Sequence, residues 1–392
     1  MLLRKQGCYF IHCSFEVNNI QNQASADTSR SPIPVDLIRA VAIFMVLVYH
    51  ALNETYVASQ LSPLQYFVLW WSQTVYNALV IVGVPLFIIL SGALLLPRSK
   101  VNEPIRVFFK KRLARIGLAF GFWSAIYLAW SYFIDGKSLT FSSVAQMLLS
   151  KGVYYQFWFI YLIVGLYLIT PILRVLVAHA DRKILRYLLL LWFIAVGVIP
   201  LFQLITGLGI DTNLFLFGGY IGYFILGVYL MGVDVETKVL KRLLAVGVVW
   251  TIVGAYLMAY PFHFDNQFFF FFDTLSVNVI IASVATYMLL SKHPRDWPGN
   301  NHPKFSRLIR AISANTLPIF FLHVIILEAV NRGYFLLFKI SLTNMSFLGF
   351  NLTLSFLNPI VEIPLAAAVT LFICLGLILL MKKVPVLNKL IG

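Results

Sequence analysis

Charge is scarce in this chain. Of its 392 residues only 11% are Asp, Glu, Lys or Arg, whereas 60% are hydrophobic. A soluble domain cannot hide that much apolar surface, so a soluble enzyme or binding module is excluded and a polytopic membrane protein is implied. Cysteine is scarcer still. Cys8, Cys13 and Cys374 are all there are, and they give neither a disulfide framework nor a metal-ligand spacing. There is no Walker loop, no GxSxG elbow and no metal-binding pattern, which removes the commonest nucleotide-hydrolysing, serine-hydrolase and metalloenzyme signatures. Acidic residues number 15 against 30 basic ones, for a net charge of +15. That excess does not mark a nucleic-acid binder, because the charges fall in short runs between apolar segments.

What is abundant is apolar sequence of membrane length. A spanning helix needs about 20 mostly apolar residues. Ten segments qualify, near 36–57, 75–96, 115–134, 157–177, 184–206, 214–232, 240–260, 272–291, 314–338 and 360–381. The expected fold is therefore all-α, with about ten transmembrane helices. Loop charges give a direction. The loops after the second, fourth, sixth and eighth segments are basic, and Lys382, Lys383 and Lys389 follow the tenth. The intervening loops hold almost no Lys or Arg; the richest carries Lys137 and Lys151. Cytoplasmic loops attract Lys and Arg, so both termini are expected in the cytoplasm. Residues 1–34 are polar and low in aromatics, as in a disordered tail. They lack the apolar core of a signal peptide. Sequons at Asn53, Asn344 and Asn351 fall in or beside outward segments, Asn53 too close to the first helix to serve as a glycan site.

The chain is organised around DLIRAVAIFMVLVYHALNE, residues 36–54. Ten uncharged residues separate Arg39 from His50. Eleven positions are three helical turns to within about 20°, so both side chains share one face, about 16 Å apart along the axis. Ionisable groups at that depth are costly and usually mark function. Burial disfavours the charged form of an imidazole, and a neutral histidine is a suitable general base near pH 7. Glu54, one turn beyond, could orient it. The competing reading of His50 is a structural histidine bonded to a neighbouring helix. Arg39 could bind an anion entering from the cytoplasm, or form a surface ion pair with Asp36 and anchor topology.

Two further stretches carry candidates. In FFKKRLARIG, residues 108–117, Lys110, Lys111, Arg112 and Arg115 precede the third segment. The guanidinium groups of Arg112 and Arg115 suit phosphate oxygens; ordinary positive-inside charge or anionic lipid contact is the competing reading. In ISANTLPIFFLHVIILE, residues 312–328, His323 should reach a depth comparable with His50, Ser313 or Asn315 could cap the helix, and Glu328 needs a partner or a wet cavity. GVPLFIILSG, residues 83–92, offers small residues for close helix packing. FWFIYLIVGLYLITP, residues 157–171, and the phenylalanine run 268–272 read as interfacial aromatics.

These residues together resemble the integral-membrane acyltransferase 3 family. The hallmark is Arg-x10-His in the first helix, here Arg39 and His50. GVPLFIILSGALLL, the Arg-x-x-Arg of Arg112 and Arg115, FWFIYLIVGLYLITPIL and SANTLPIFFLH are similar to its later blocks, in order, over residues 35–385. The resemblance implies a transmembrane acyltransferase domain over residues 35–392, in a multi-pass cell-membrane protein. It implies acetyl-CoA or another acyl-CoA as donor substrate, no permanently bound cofactor or metal, and a surface glycan or glycolipid sugar as acceptor. It implies His50 in acyl transfer, as general base or through a covalent acyl-histidine, and Arg39 on the donor. Arg112, Arg115 and Lys111 would meet the donor's phosphates, Glu54 would support His50, and His323 would offer the oxyanion a proton. The chain ends eleven residues after the tenth segment, so no fused esterase-like domain is expected and transfer would go directly to the acceptor or to a separate protein. The main rival is a multi-pass exporter of a glycan or lipid, which buried His, Arg and Glu would also fit; neither an internal repeat nor paired broken helices speaks for it. A non-catalytic membrane partner is the third reading, with no feature of its own.

Overall fold

The computed structural model describes residues 34–52, 63–150, 152–208, 219–260, 267–294, 297, 302–333 and 359–392. Among these residues all regular structure is helical. In chain order the helices are α1 (Val35–Ala51), α2 (Pro63–Val80), α3 (Gly83–Leu95), α4 (Ile105–Phe133), α5 (Phe141–Ser150), α6 (Trp158–His179) and α7 (Arg182–Phe193). Then come α8 (Ile199–Thr206), α9 (Ile221–Leu230), α10 (Thr237–Ala259), α11 (Val277–Ser291), α12 (Pro303–Ala314), α13 (Thr316–Gly333), α14 (Pro359–Met381) and α15 (Pro385–Leu390).

Each of the ten expected segments contains one of these helices. Seven stretches are long and apolar enough to cross a membrane, or eight if the bent pair α12–α13 is one span. The two that fall short, α1 with 17 residues and α9 with 10, both adjoin undescribed residues. The tail 1–33, Glu54, and the sequons at Asn53, Asn344 and Asn351 lie outside the described residues.

The boundaries depart from expectation where packing overrides composition. The second span begins at Pro63 and breaks at Ile81–Val82. The basic run 108–115 is not a loop before α4 but its first turns, because nothing between Ile105 and Phe133 breaks a helix. At Asn315 the chain turns by 83° between α12 and α13. Neither Ser313 nor Asn315 caps α13 as the sequence suggested. Ser313 Oγ donates to Asp36 Oδ1 at 2.6 Å, and Asn315 Nδ2 donates to the Ala311 carbonyl at 2.6 Å. Asp36 is thus tied to the last turn of α12, not paired with Arg39. The phenylalanine run forms a 3-10 turn, Gln267–Phe272, in which Phe269 is exposed and Phe271 is buried against Gly254 of α10.

α1 sits at the centre. It starts just past Pro34, carries Asp36 in its first turn, and contains neither glycine nor proline. Its buried residues lie on most of its circumference, and α2, α3, α12, α13 and α14 all pack on it. Gln73 Nε2 donates to the Leu52 carbonyl at 2.7 Å, satisfying a backbone group at its C-terminal end. Lipid is as apolar as leucine, so tight packing and polar contacts hold membrane helices together. The small residues of 83–92 serve that need. At Gly92 an added Cβ would stand 1.7 Å from the Phe224 carbonyl oxygen, and at Gly227 one would stand 2.0 Å from that of Ile89, so α3 and α9 meet backbone to backbone.

Candidate active site

The C-terminal end of α1 and the first turns of α13 bring the two buried histidines together. The ring centroids of His50 and His323 are 4.9 Å apart at a 47° tilt. Both are buried, His323 completely. His323 Nδ1 lies 2.6 Å from the Phe320 carbonyl oxygen, which can only accept, so Nδ1 carries the proton. In the neutral ring Nε2 is then a bare acceptor, and it has no hydrogen-bond partner among the described residues. A neutral His323 therefore cannot offer an oxyanion a proton.

A third ring completes the cluster, that of Tyr155, 5.3 Å from His50. It is carried by a short 3-10 turn, Tyr155–Phe157, ahead of α6. Gly152 makes this approach possible. Its φ is +97°, and a Cβ there would meet Phe157 at 2.5 Å. Glu328 then anchors the turn. Its carboxylate accepts from Tyr154 Oη at 2.5 Å and from Trp130 Nε1 at 2.9 Å, so the partner that the sequence demanded is a pair of aromatic donors from the turn and α4. Tyr127 Oη donates to the Phe321 carbonyl at 2.7 Å on the same side.

A cavity of about 240 Å³ adjoins His50. It is lined from the C-terminal end of α1, the start of α6, the start of α9 and the residues leading into α11. The break between α2 and α3 and Phe320 of α13 complete the lining.

The cations gather at the opposite end of α1. Arg39 is half-buried and within electrostatic reach of Asp36, Tyr167 and Arg115. Tyr167, on α6, lies in the field of Arg39, Arg112 and Arg115 together, and Lys382 lies near Arg115. Among the described residues, Arg39 and Arg115 have no carboxylate within ion-pair distance. Arg112 is more committed, with its guanidinium 4.5 Å over the Phe108 ring and Nη1 3.8 Å from Glu103 Oε1. Lys111 Nζ is 3.9 Å from the same oxygen and largely exposed.

Sequence reasoning treated Arg174 as ordinary loop charge and overlooked Glu103. Arg174 is buried. Its Nη2 stands 2.9 Å from Glu103 Oε2, an ion pair whose angle falls short of a well-aligned hydrogen bond. Its Nε donates to the Leu95 carbonyl at 2.8 Å, and its guanidinium lies 4.6 Å from the same Phe108 ring that Arg112 meets. Partial burial pushes the Glu103 carboxyl up. The contact with Arg174 and the charges of Arg112, Arg174 and Lys111 outweigh this and hold it below the ordinary carboxylate range. Tyr155 and Gln156, just ahead of the aromatic stretch 157–171, were also missed. The doublet Tyr154–Tyr155 followed by a polar residue inside an apolar run was the available signal.

The arrangement is bipolar: a cluster of cations at one end of a central helix, a histidine pair and a cavity at the other. A family model described as an acyltransferase domain, the acyltransferase 3 type, matches residues 34–379. No curated protein and no solved structure matches the chain.

Proposed function

The chain belongs to this acyltransferase family, and from that premise we propose that it moves an acyl group from acyl-CoA to a hydroxyl of a cell-surface glycan or glycolipid sugar. The acyl group is acetyl, and the enzyme lies in the cell membrane with both termini in the cytoplasm. The observation that carries the proposal is the placement of His50. It stands against His323 at a cavity, three turns along one helix from Arg39.

The donor's phosphates are held by Arg39, Arg112, Arg115 and Lys111, whose forked or mobile cations suit them. The narrow pantetheine arm brings the thioester towards His50. The acceptor hydroxyl loses its proton to His50 as its oxygen attacks the thioester carbonyl. A carbon–oxygen bond forms, the carbon–sulfur bond breaks, and the proton passes from His50 to the departing thiolate. Holding both substrates in one cavity supplies proximity. His323 contributes an oxyanion hydrogen bond only if its ring is doubly protonated; in the neutral ring its Nε2 accepts, which suits a role in orienting or relaying protons with His50.

Purified protein in lipid nanodiscs, given labelled acetyl-CoA and a glycan acceptor, should release free coenzyme A and label the acceptor. His50→Ala should lower turnover by about 10²- to 10⁴-fold, the range for a lost general base, with unchanged thermal melting. Equal turnover in the variant would sink the role of His50. Movement of glycan across vesicles without acyl transfer would replace the enzyme with an exporter.

A further inference from the structure

The cavity beyond His50 contains polar groups that the fold does not use. Gln156 is 1% exposed, lines the cavity, and has no hydrogen-bond partner at either Oε1 or Nε2 among the described residues. Burying an unpaired amide is costly, and so many native amides left this way await a partner from outside the chain. Asp273 also lines the cavity, and its Oδ1 accepts from the Leu275 amide at 2.7 Å, which orients the carboxylate. Aromatic rings, among them those of Tyr49, Trp158 and Tyr220, supply much of the walls. Trp158 and Tyr220 lie 5.9 Å apart at a 35° tilt, and the Tyr220 hydroxyl is fixed 2.7 Å from Thr274 Oγ1.

We propose that this cavity is the acceptor subsite and that it takes one pyranose ring, with Gln156 and Asp273 holding adjacent hydroxyls. The inference rests on the acyl-transfer reading above and gives its acceptor a place. A carboxamide offers both a donor and an acceptor, and a carboxylate accepts two hydrogen bonds, so together they match a vicinal diol. Aromatic faces are negative and suit the polarised C–H faces of a sugar. A volume of about 240 Å³ is below the roughly 300–1,000 Å³ of sites for drug-sized ligands, room for a single ring. An aliphatic alcohol would leave the amide unpaired, and sites built for hydrogen bonding discriminate strongly against such ligands. Position separates this cavity from the donor. His50 lines the cavity and Arg39 stands three turns away along α1, so the thioester is brought to the imidazole from the arginine end and the hydroxyl from the cavity.

Saturation-transfer NMR on the full chain in nanodiscs tests the subsite without requiring turnover. The probes are the methyl glycosides of glucose, galactose, rhamnose and N-acetylglucosamine. At least one should bind the native protein, and Gln156→Leu or Asp273→Asn should weaken it at least tenfold while leaving acetyl-CoA affinity unchanged. Gln156→Leu removes a buried unpaired amide, so its melting temperature should hold or rise. Lost sugar binding with retained stability is not what a structural glutamine would give. Asp273 is exposed, so its variant tests the cavity even if the Gln156 variant folds poorly. Failure of all four glycosides to bind, or binding indifferent to both substitutions, overturns the subsite. A tenfold loss of acetyl-CoA affinity in Gln156→Leu would assign the amide to the pantetheine arm and overturn it as well. The two readings fail separately. Acetyl transfer to a glycoside with unchanged KM in both variants overturns the subsite alone. Glycoside binding that depends on Gln156 and Asp273, with no transfer from acetyl-CoA, overturns the acyl-transfer reading alone.

Discussion

Glu103 decides how much of the basic face is available to a ligand. It neutralises Arg174 and draws on Arg112 and Lys111, while among the described residues Arg39 and Arg115 have no carboxylate as close. A buried pair broken on one side costs several kcal/mol because the remaining charge is stranded. Glu103 retains about a fifth of its exposure, which lowers that figure through solvent screening. Glu103→Gln should therefore destabilise by about 1–3 kcal/mol, read as a lower melting temperature in detergent. Adding Arg174→Met should recover part of the loss. A double variant worse than the sum of the singles would contradict the pairing. The pH dependence has a definite sign. A carboxyl held below its ordinary range contributes stability that is complete above that range and is lost as pH falls through its depressed value. Of the site residues, His50, Arg39 and His323 were legible because ionisable groups inside apolar runs stand out. Glu103, Arg174 and Gln156 were not. A glutamate in a polar loop has no pattern to mark it, and an arginine at a helix end looks like topology until its neighbours are known.

Among the elements, the helices were legible and their breaks were not. Runs of about 20 apolar residues announce spans, and each of the ten expected segments holds helix among its described residues. The 83° turn at Asn315 has no glycine or proline at its vertex, since Pro318 follows it inside α13. It is fixed by contacts far off in sequence, of which Ser313 to Asp36 is the clearest. The α3–α9 crossing is an intermediate case. Small residues suggested close packing, yet the partner glycine, Gly227, could be found only in three dimensions. Substitution at these glycines must drive two backbones apart, a worse demand than ordinary overpacking, which costs about 1–3 kcal/mol. Gly92→Ala and Gly227→Ala should each sharply reduce the yield of folded protein. Gly376→Ala, in α14 with nothing within 4 Å of its added Cβ, should not. Equal yields, by size-exclusion chromatography, would mean that the backbones do not meet as described.

Over the whole molecule, the spans sort functional groups into two ends. Arg39 at the start of α1, Arg115 on α4 and Lys382 after α14 share one end; the cavity at the starts of α6 and α9 and the close of α1 lies at the other. A coenzyme A thioester is made inside the cell, so the reaction proposed here works only if the arginine end is cytoplasmic. The loop charges point that way, and the chain carries its own probes for it. Cys8 and Cys13 precede α1, whereas Cys374 is buried within α14. A membrane-impermeant maleimide should leave intact cells unlabelled and should label the two N-terminal cysteines once the membrane is permeabilised. Cys8→Ser with Cys13→Ser should abolish that signal, since Cys374 is shielded. Labelling of intact cells would reverse the bundle, place Arg39 and Arg115 outside, and leave the cytoplasmic donor facing the cavity end. The assignment of donor and acceptor to the two ends of α1 would then have to be exchanged, whatever the chemistry at His50.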